Sequence, residues 1–236
     1  MKSTSFPWRA PLARDWAERL AEIEALVADG QEPDYVAIKT LANQQLEMRE
    51  QVRVERLAKK LSKAALDGSA FAPVKLGLLG SRTLSYLPDP LAAAGLARGL
   101  AISSVEAPYD SVASYAYSPA DCFGQALDAL LVVLDEGAFP GERPMLDQAA
   151  ENEAVADAGN LVNALAAAAQ EKSGCKAIFA TLPAAMQVSS AELATPGSSA
   201  RFRQRINLLL AEGAMEGRWL LWDQAALASR VGLENW

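Results

Sequence analysis

Histidine is absent from all 236 residues. A serine nucleophile activated by an imidazole of this same chain is therefore excluded, because the hydroxyl needs a base within hydrogen-bond reach. Cysteine is nearly absent too. Cys122 and Cys175 cannot make a disulfide framework, and two free buried thiols in a cytoplasmic protein are the expected state. The nucleotide fingerprints G-x-G-x-x-G and G-x-x-x-x-G-K-[ST] do not occur. No Ser-x-x-Lys pattern follows Ser81. No apolar run approaches a membrane span, and Met1–Trp8 lacks the apolar core of a signal peptide. Positive charge is in deficit, with a net charge of −7. That argues against nucleic acid or an anionic membrane as partner. Residues 1–63 are close to neutral, so the acidity belongs to the remainder.

What remains is a globular composition, 51% hydrophobic and 22% charged. Trp16, Leu20, Ile23 and Leu26 recur at helical spacing and stop at Asp29-Gly30. A second helix is expected over 34–63, with a less regular apolar face. Glu55 and Lys59 on it form a favourable i,i+4 pair. Asp67–Pro73 reads as a linker. From Val74 the pattern alternates. Apolar strands are expected at 74–79, 101–107, 127–134, 176–181 and 219–222. Helices are expected at about 88–98, 145–172 and 199–212, with a short one at the end. Residues 112–123 suit neither element cleanly, and 138–143 and 186–199 read as loops. Strands alternating with helices argue for an α/β fold: a three-layer, doubly wound parallel sheet of about five strands with an N-terminal helical extension. The expected division is 1–70 for the extension and 71–236 for the α/β domain.

In such a sheet, ligands bind beyond the carboxyl ends of the strands. Those ends present Ser81, Arg82 and Thr83, then Tyr109, Asp110 and Ser111, then Asp135 and Glu136, then Thr181, then Asp223. Ser81 stands where a nucleophile or an anion holder would stand. Its backbone N–H and that of Arg82 are expected to face an oxyanion or phosphate. The plainer alternative is that Ser81 tightens a turn. The carboxylates could act as a base with a raised pKa, bind a hard cation, or cap helices. No metal and no cofactor is expected. Arg201, Arg203 and Arg205 place three charges near a helix start, either as a docking patch or as a solvated face.

Seven stretches, in order along nearly the whole chain, together resemble the N-terminal region of FkbH-like proteins. They are Phe6-Pro-Trp-Arg9, Val54-Glu-Arg-Leu57, Leu78-Leu-Gly-Ser-Arg-Thr-Leu84, Ala107-Pro-Tyr-Asp110, Ala129-Leu-Leu-Val-Val-Leu-Asp135, Phe202-Arg-Gln-Arg-Ile-Asn207 and Val231-Gly-Leu-Glu-Asn-Trp236. The resemblance implies an SGNH-hydrolase-like (flavodoxin-like) region, carried ahead of a haloacid-dehalogenase-type domain. It implies a role in loading a glyceryl or acyl unit onto an acyl carrier protein, for polyketide or polysaccharide biosynthesis. The partners it implies are that carrier protein or the adjacent domain. The aspartate motif D-x-D-x-[TS] of the second domain does not occur in this sequence. Ser81 matches the first-block serine, although the usual G-D-S reads Gly80-Ser81-Arg82. Asp135-Glu136-Gly137 stands where the G-x-N-D block would fall, without its asparagine, and no D-x-x-H block exists.

Three readings follow. The first is a catalytically impaired module that binds an acyl, glyceryl or carrier-linked group, or a partner domain, around Ser81. The second is an active esterase or acyltransferase using Ser81. The third is a dimerisation or docking scaffold with an exposed apolar face on 34–63. The sequence leaves the oligomeric state open.

Overall fold

A computed structural model describes residues 9–64, 71–118, 121–139, 147–183 and 189–231. Residues 1–8, most of the 67–73 linker, and parts of the 138–143 and 186–199 loops lie outside the described residues.

The sheet has five parallel strands: β1 (Ala72–Gly80), β2 (Leu100–Glu106), β3 (Ala129–Val133), β4 (Lys176–Ala180) and β5 (Leu220–Trp222). Their order is β2-β1-β3-β4-β5, one of the two common orders of doubly wound sheets. Leu131 is level with Ile178, which is level with Leu220. The α/β expectation holds, and each expected strand is present within a residue or two. By compactness the chain forms two units. One runs to Leu76 and takes in Ser85–Ser104; the other holds Gly77–Leu84 and Val105 onward.

The first unit contains α1 (Trp16–Ala28), α2 (Tyr35–Ala42), α3 (Met48–Ala64) and α4 (Pro88–Leu96). Trp16, Leu20 and Ile23 of α1 are buried as their spacing predicts. The indole of Trp16 donates to the Leu41 carbonyl at 3.1 Å, so the one polar atom of a buried ring is satisfied. Gly95 on α4 lies so close to β2 that a Cβ there would stand 2.9 Å from the Leu100 carbonyl oxygen. The single helix expected over 34–63 is in fact two. The chain leaves helix at Asn43, and Gln44 makes a parallel bridge with Ala10. The Gln45 N–H donates to the Ala10 carbonyl at 2.8 Å, while Gln44 Oε1 accepts the Ala13 N–H at 2.8 Å. No glycine or proline marks the break. The drifting apolar face has its reason here, because the helical phase restarts at Met48. Val36 on α2 and Met48 on α3 are exposed, but they belong to separate helices.

The second unit contains α5 (Val112–Tyr117), α6 (Gln148–Ser173), α7 (Ser190–Ala194), α8 (Ser199–Met215) and α9 (Gln224–Val231). The small buried side chains of α6, Ala154, Ala158, Ala168 and Ala169, let it lie close to the sheet. Asp147 caps its start and Gly174, at φ 66°, ends it. Gly213 of α8 lies directly beneath the Trp219 ring, whose Nε1–H donates to the Leu210 carbonyl at 2.8 Å. The segment 112–123 resolves into the short α5 followed by a turn at Asp121, whose carboxylate accepts the Phe123 and Gly124 N–H groups. Part of the loop expected at 186–199 is helix: Ser189 and Glu192 form a reciprocal capping box at the start of α7. Among the described residues, no helix is long and apolar enough to cross a membrane.

Candidate functional site

With this strand order, the crossovers leaving β1 and β3 diverge, which is where doubly wound sheets hold ligands. Ser81 follows β1 and Asp135 follows β3, and the two meet. The Asp135 N–H donates to Ser81 Oγ at 2.9 Å. The Arg82 guanidinium pairs with the Asp135 carboxylate. The Ser81 N–H donates to the Val133 carbonyl at 3.3 Å, continuing the sheet past Gly80. This corrects the expected anion site. The Ser81 amide is spent on the neighbouring strand, and the chain bends through Arg82 and enters helix only at Pro88.

The electrostatics of the pair follow from its partners. Burial pushes the Asp135 carboxyl up, but the Arg82 guanidinium and the Ser81 hydroxyl outweigh it and hold the group below its ordinary value. A carboxylate that stays ionised far below neutrality is a poor proton acceptor at pH 7. The serine oxygen meanwhile already accepts an amide N–H. Ser81 and Asp135 therefore form a polar clasp between two strand ends.

Beside the clasp is an open cavity of about 260 Å³, lined by Gly80, Arg82, Thr83, Glu106, Ala107, Pro108 and Tyr109. It brings together Arg82, Thr83 and Tyr109 of the expected site. Glu106 was missed by the sequence reading. Its carboxylate accepts the Leu84 N–H at 2.7 Å and holds the Ser81–Leu84 turn against the end of β2. The available signal was an acid closing an otherwise apolar and small strand.

The other expected residues serve different ends. Ser111 is buried, and its hydroxyl donates to the Pro108 carbonyl at 2.6 Å, closing the turn before α5. Asp110 is exposed at φ 58°, the left-handed conformation that Asp tolerates better than most residues. Asp223 caps α9 by accepting the Ala226 N–H at 2.9 Å, and the Thr181 hydroxyl donates to it at 3.2 Å.

The arginine group is neither a docking patch nor a solvated face. Arg201 and Arg205 both pair at 3.1 Å with Glu151, whose side chain is wholly buried. Arg203 pairs with Glu136 and donates to the Pro183 carbonyl at 3.3 Å. Burial pushes the Glu151 carboxyl up, but Arg205, the Gly197 N–H and Arg201 together hold it below its ordinary value. Burial pushes the thiols of Cys122 and Cys175 up, away from the reactive thiolate form. Among the described residues, no group of three or more Cys, Asp or Glu side chains is placed to hold a metal ion.

No family model matches the chain, and no curated protein matches it. A solved structure does. It is the N-terminal part of the protein BF1531 from Bacteroides fragilis, described as containing a phosphatase domain complexed with Mg. The likeness has a TM-score of 0.59 at 17% identity and covers 78% of this chain and 47% of that one. At that identity it speaks for the fold alone, and the chain spans about half the length of the structure it resembles.

Proposed function

We propose that this chain is a binding module of SGNH-like architecture that lacks a working catalytic serine, of the kind that accompanies a phosphatase-type domain in FkbH-like proteins. The observation that carries the proposal is the Ser81–Asp135 clasp. The hydroxyl accepts the Asp135 N–H, the nearest carboxylate is neutralised by Arg82, and the sequence holds no histidine. What a hydrolase would use to activate and stabilise is here used to join two strands. The likeness to the N-terminal part of a protein containing a phosphatase domain supports the same reading. The ligand is a small group, or one linked to a carrier protein, held at the cavity beside Arg82, Thr83 and Tyr109. The setting is glyceryl or acyl transfer.

A second reading keeps Ser81 as a nucleophile, favoured only by its closeness to a carboxylate. The test compares hydrolysis of a panel of short-chain p-nitrophenyl esters and acyl thioesters by wild type and Ser81→Ala. The expected result is background turnover in both. Turnover in the wild type that vanishes in Ser81→Ala would overturn the binding-module reading.

A further inference from the structure

The cavity beside the clasp has a charge pattern that selects its occupant. Arg82 is the cation on its wall, and that charge is already matched by Asp135. Glu106 is the anion on its wall. Its Oε1 accepts the Leu84 N–H, and among the described residues its Oε2 takes no hydrogen bond. An incoming phosphate or carboxylate would thus meet the Glu106 carboxylate and an arginine already paired with Asp135. A neutral group bearing hydroxyls meets no such penalty. It can donate to Glu106 and accept from the spare N–H groups of Arg82 and the hydroxyls of Thr83 and Tyr109.

Tyr109 adds a second, independent feature. The residue is 79% exposed and lines the cavity. An aromatic ring with one polar tip suits a ligand that has C–H faces and hydroxyl edges. The volume, about 260 Å³, falls below the range of roughly 300–1,000 Å³ usual for larger ligands. It fits one small ring or polyol.

We infer that the cavity between the ends of β1 and β2 binds a single neutral, hydroxyl-rich group, a sugar ring or polyol, through Glu106, Arg82 and Tyr109, and discriminates against free anions. This rests on the binding-module reading and names the ligand class of the same site.

The test is protein-observed NMR on the full chain, following the backbone amides of Thr83, Ala107 and Tyr109. The probes are methyl glucopyranoside, glycerol and inorganic phosphate. Saturable shifts with at least one neutral probe, and none with phosphate, are expected. Tyr109→Ala should abolish those shifts, and Glu106→Gln should weaken neutral binding about tenfold while admitting phosphate. Glu106→Gln keeps an oxygen for the Leu84 N–H, and Tyr109 is exposed, so both variants should fold. Phosphate moving these amides in wild type, or no neutral probe moving them, would overturn the inference. Ser81-dependent ester turnover would instead overturn the reading beneath it, so the two failures are distinguishable.

Discussion

Replacing Glu151 by alanine tests whether the arginine group is part of the folded interior. The carboxylate is wholly buried, accepts from Arg201 Nε at 3.1 Å and from the Gly197 N–H at 3.3 Å, and forms an ion pair with Arg205 Nη1 at 3.1 Å. Removing one partner of a buried ion pair costs about 3–5 kcal/mol, because the remaining charge is stranded. Here the stranded arginines keep 27% and 31% of their side-chain surface in water and can recover part of their hydration. The lower end is therefore expected, about 3 kcal/mol, or roughly a hundredfold in the folding equilibrium. For a chain of this size that is a fall in Tm of roughly 6–12 °C. Glu151→Gln, which keeps the acceptor and loses the charge, should cost about half as much.

The assay is urea unfolding followed by circular dichroism, comparing midpoints at equal slope. The pH dependence follows from the lowered carboxyl. The stabilisation is fully present above the unfolded value of 4.5 and is lost as pH falls through the lower folded value. The gap between wild type and Glu151→Ala should therefore close only in strong acid. A loss under about 1 kcal/mol, typical of an exposed pair, would refute the argument and return the arginines to a solvated face.

Four further outcomes are expected. Gly213→Ala would set a Cβ 1.9 Å from the Trp219 ring. Overpacking should outweigh the helix-propensity gain and lower stability by about 2 kcal/mol in urea unfolding. Arg82→Ala removes one of the groups that hold the Asp135 carboxyl down, so that carboxyl, followed by carbon NMR, should titrate at higher pH than in wild type. An unchanged titration would show that the clasp does not depend on Arg82. Asp223→Ala removes the cap of α9 and should cost about 1 kcal/mol, read as faster amide exchange at Ala226. Sedimentation finding only monomer over a wide concentration range would remove the dimerisation form of the scaffold reading.

Much of the fold was legible because its signals are local. Apolar runs such as Leu127–Leu134 and Lys176–Thr181, short and bounded by turn residues, read as buried parallel strands. Gly30 and Gly174 stop helices through backbone conformations that need no distant partner. The lack of histidine by itself excludes an imidazole mechanism within the chain. Arg82, Thr83 and Tyr109 were legible as strand-end residues, and one cavity does gather them.

What the sequence could not convey depends on partners far along the chain. The break between α2 and α3 exists because Gln44 and Gln45 find Ala10, Ala13 and Arg9. Nothing in Asn43-Gln44-Gln45 itself forbids helix. The surroundings of Ser81 are set by Val133 and Asp135, which bond to its N–H and its Oγ. The arginines of α8 look like surface charge until α6 supplies Glu151 beneath them. Periodicity and composition record what each residue prefers near its neighbours. Hydrogen-bond and charge satisfaction is settled only when the strands and helices meet, and at this site it ties Ser81 to Val133 and Asp135.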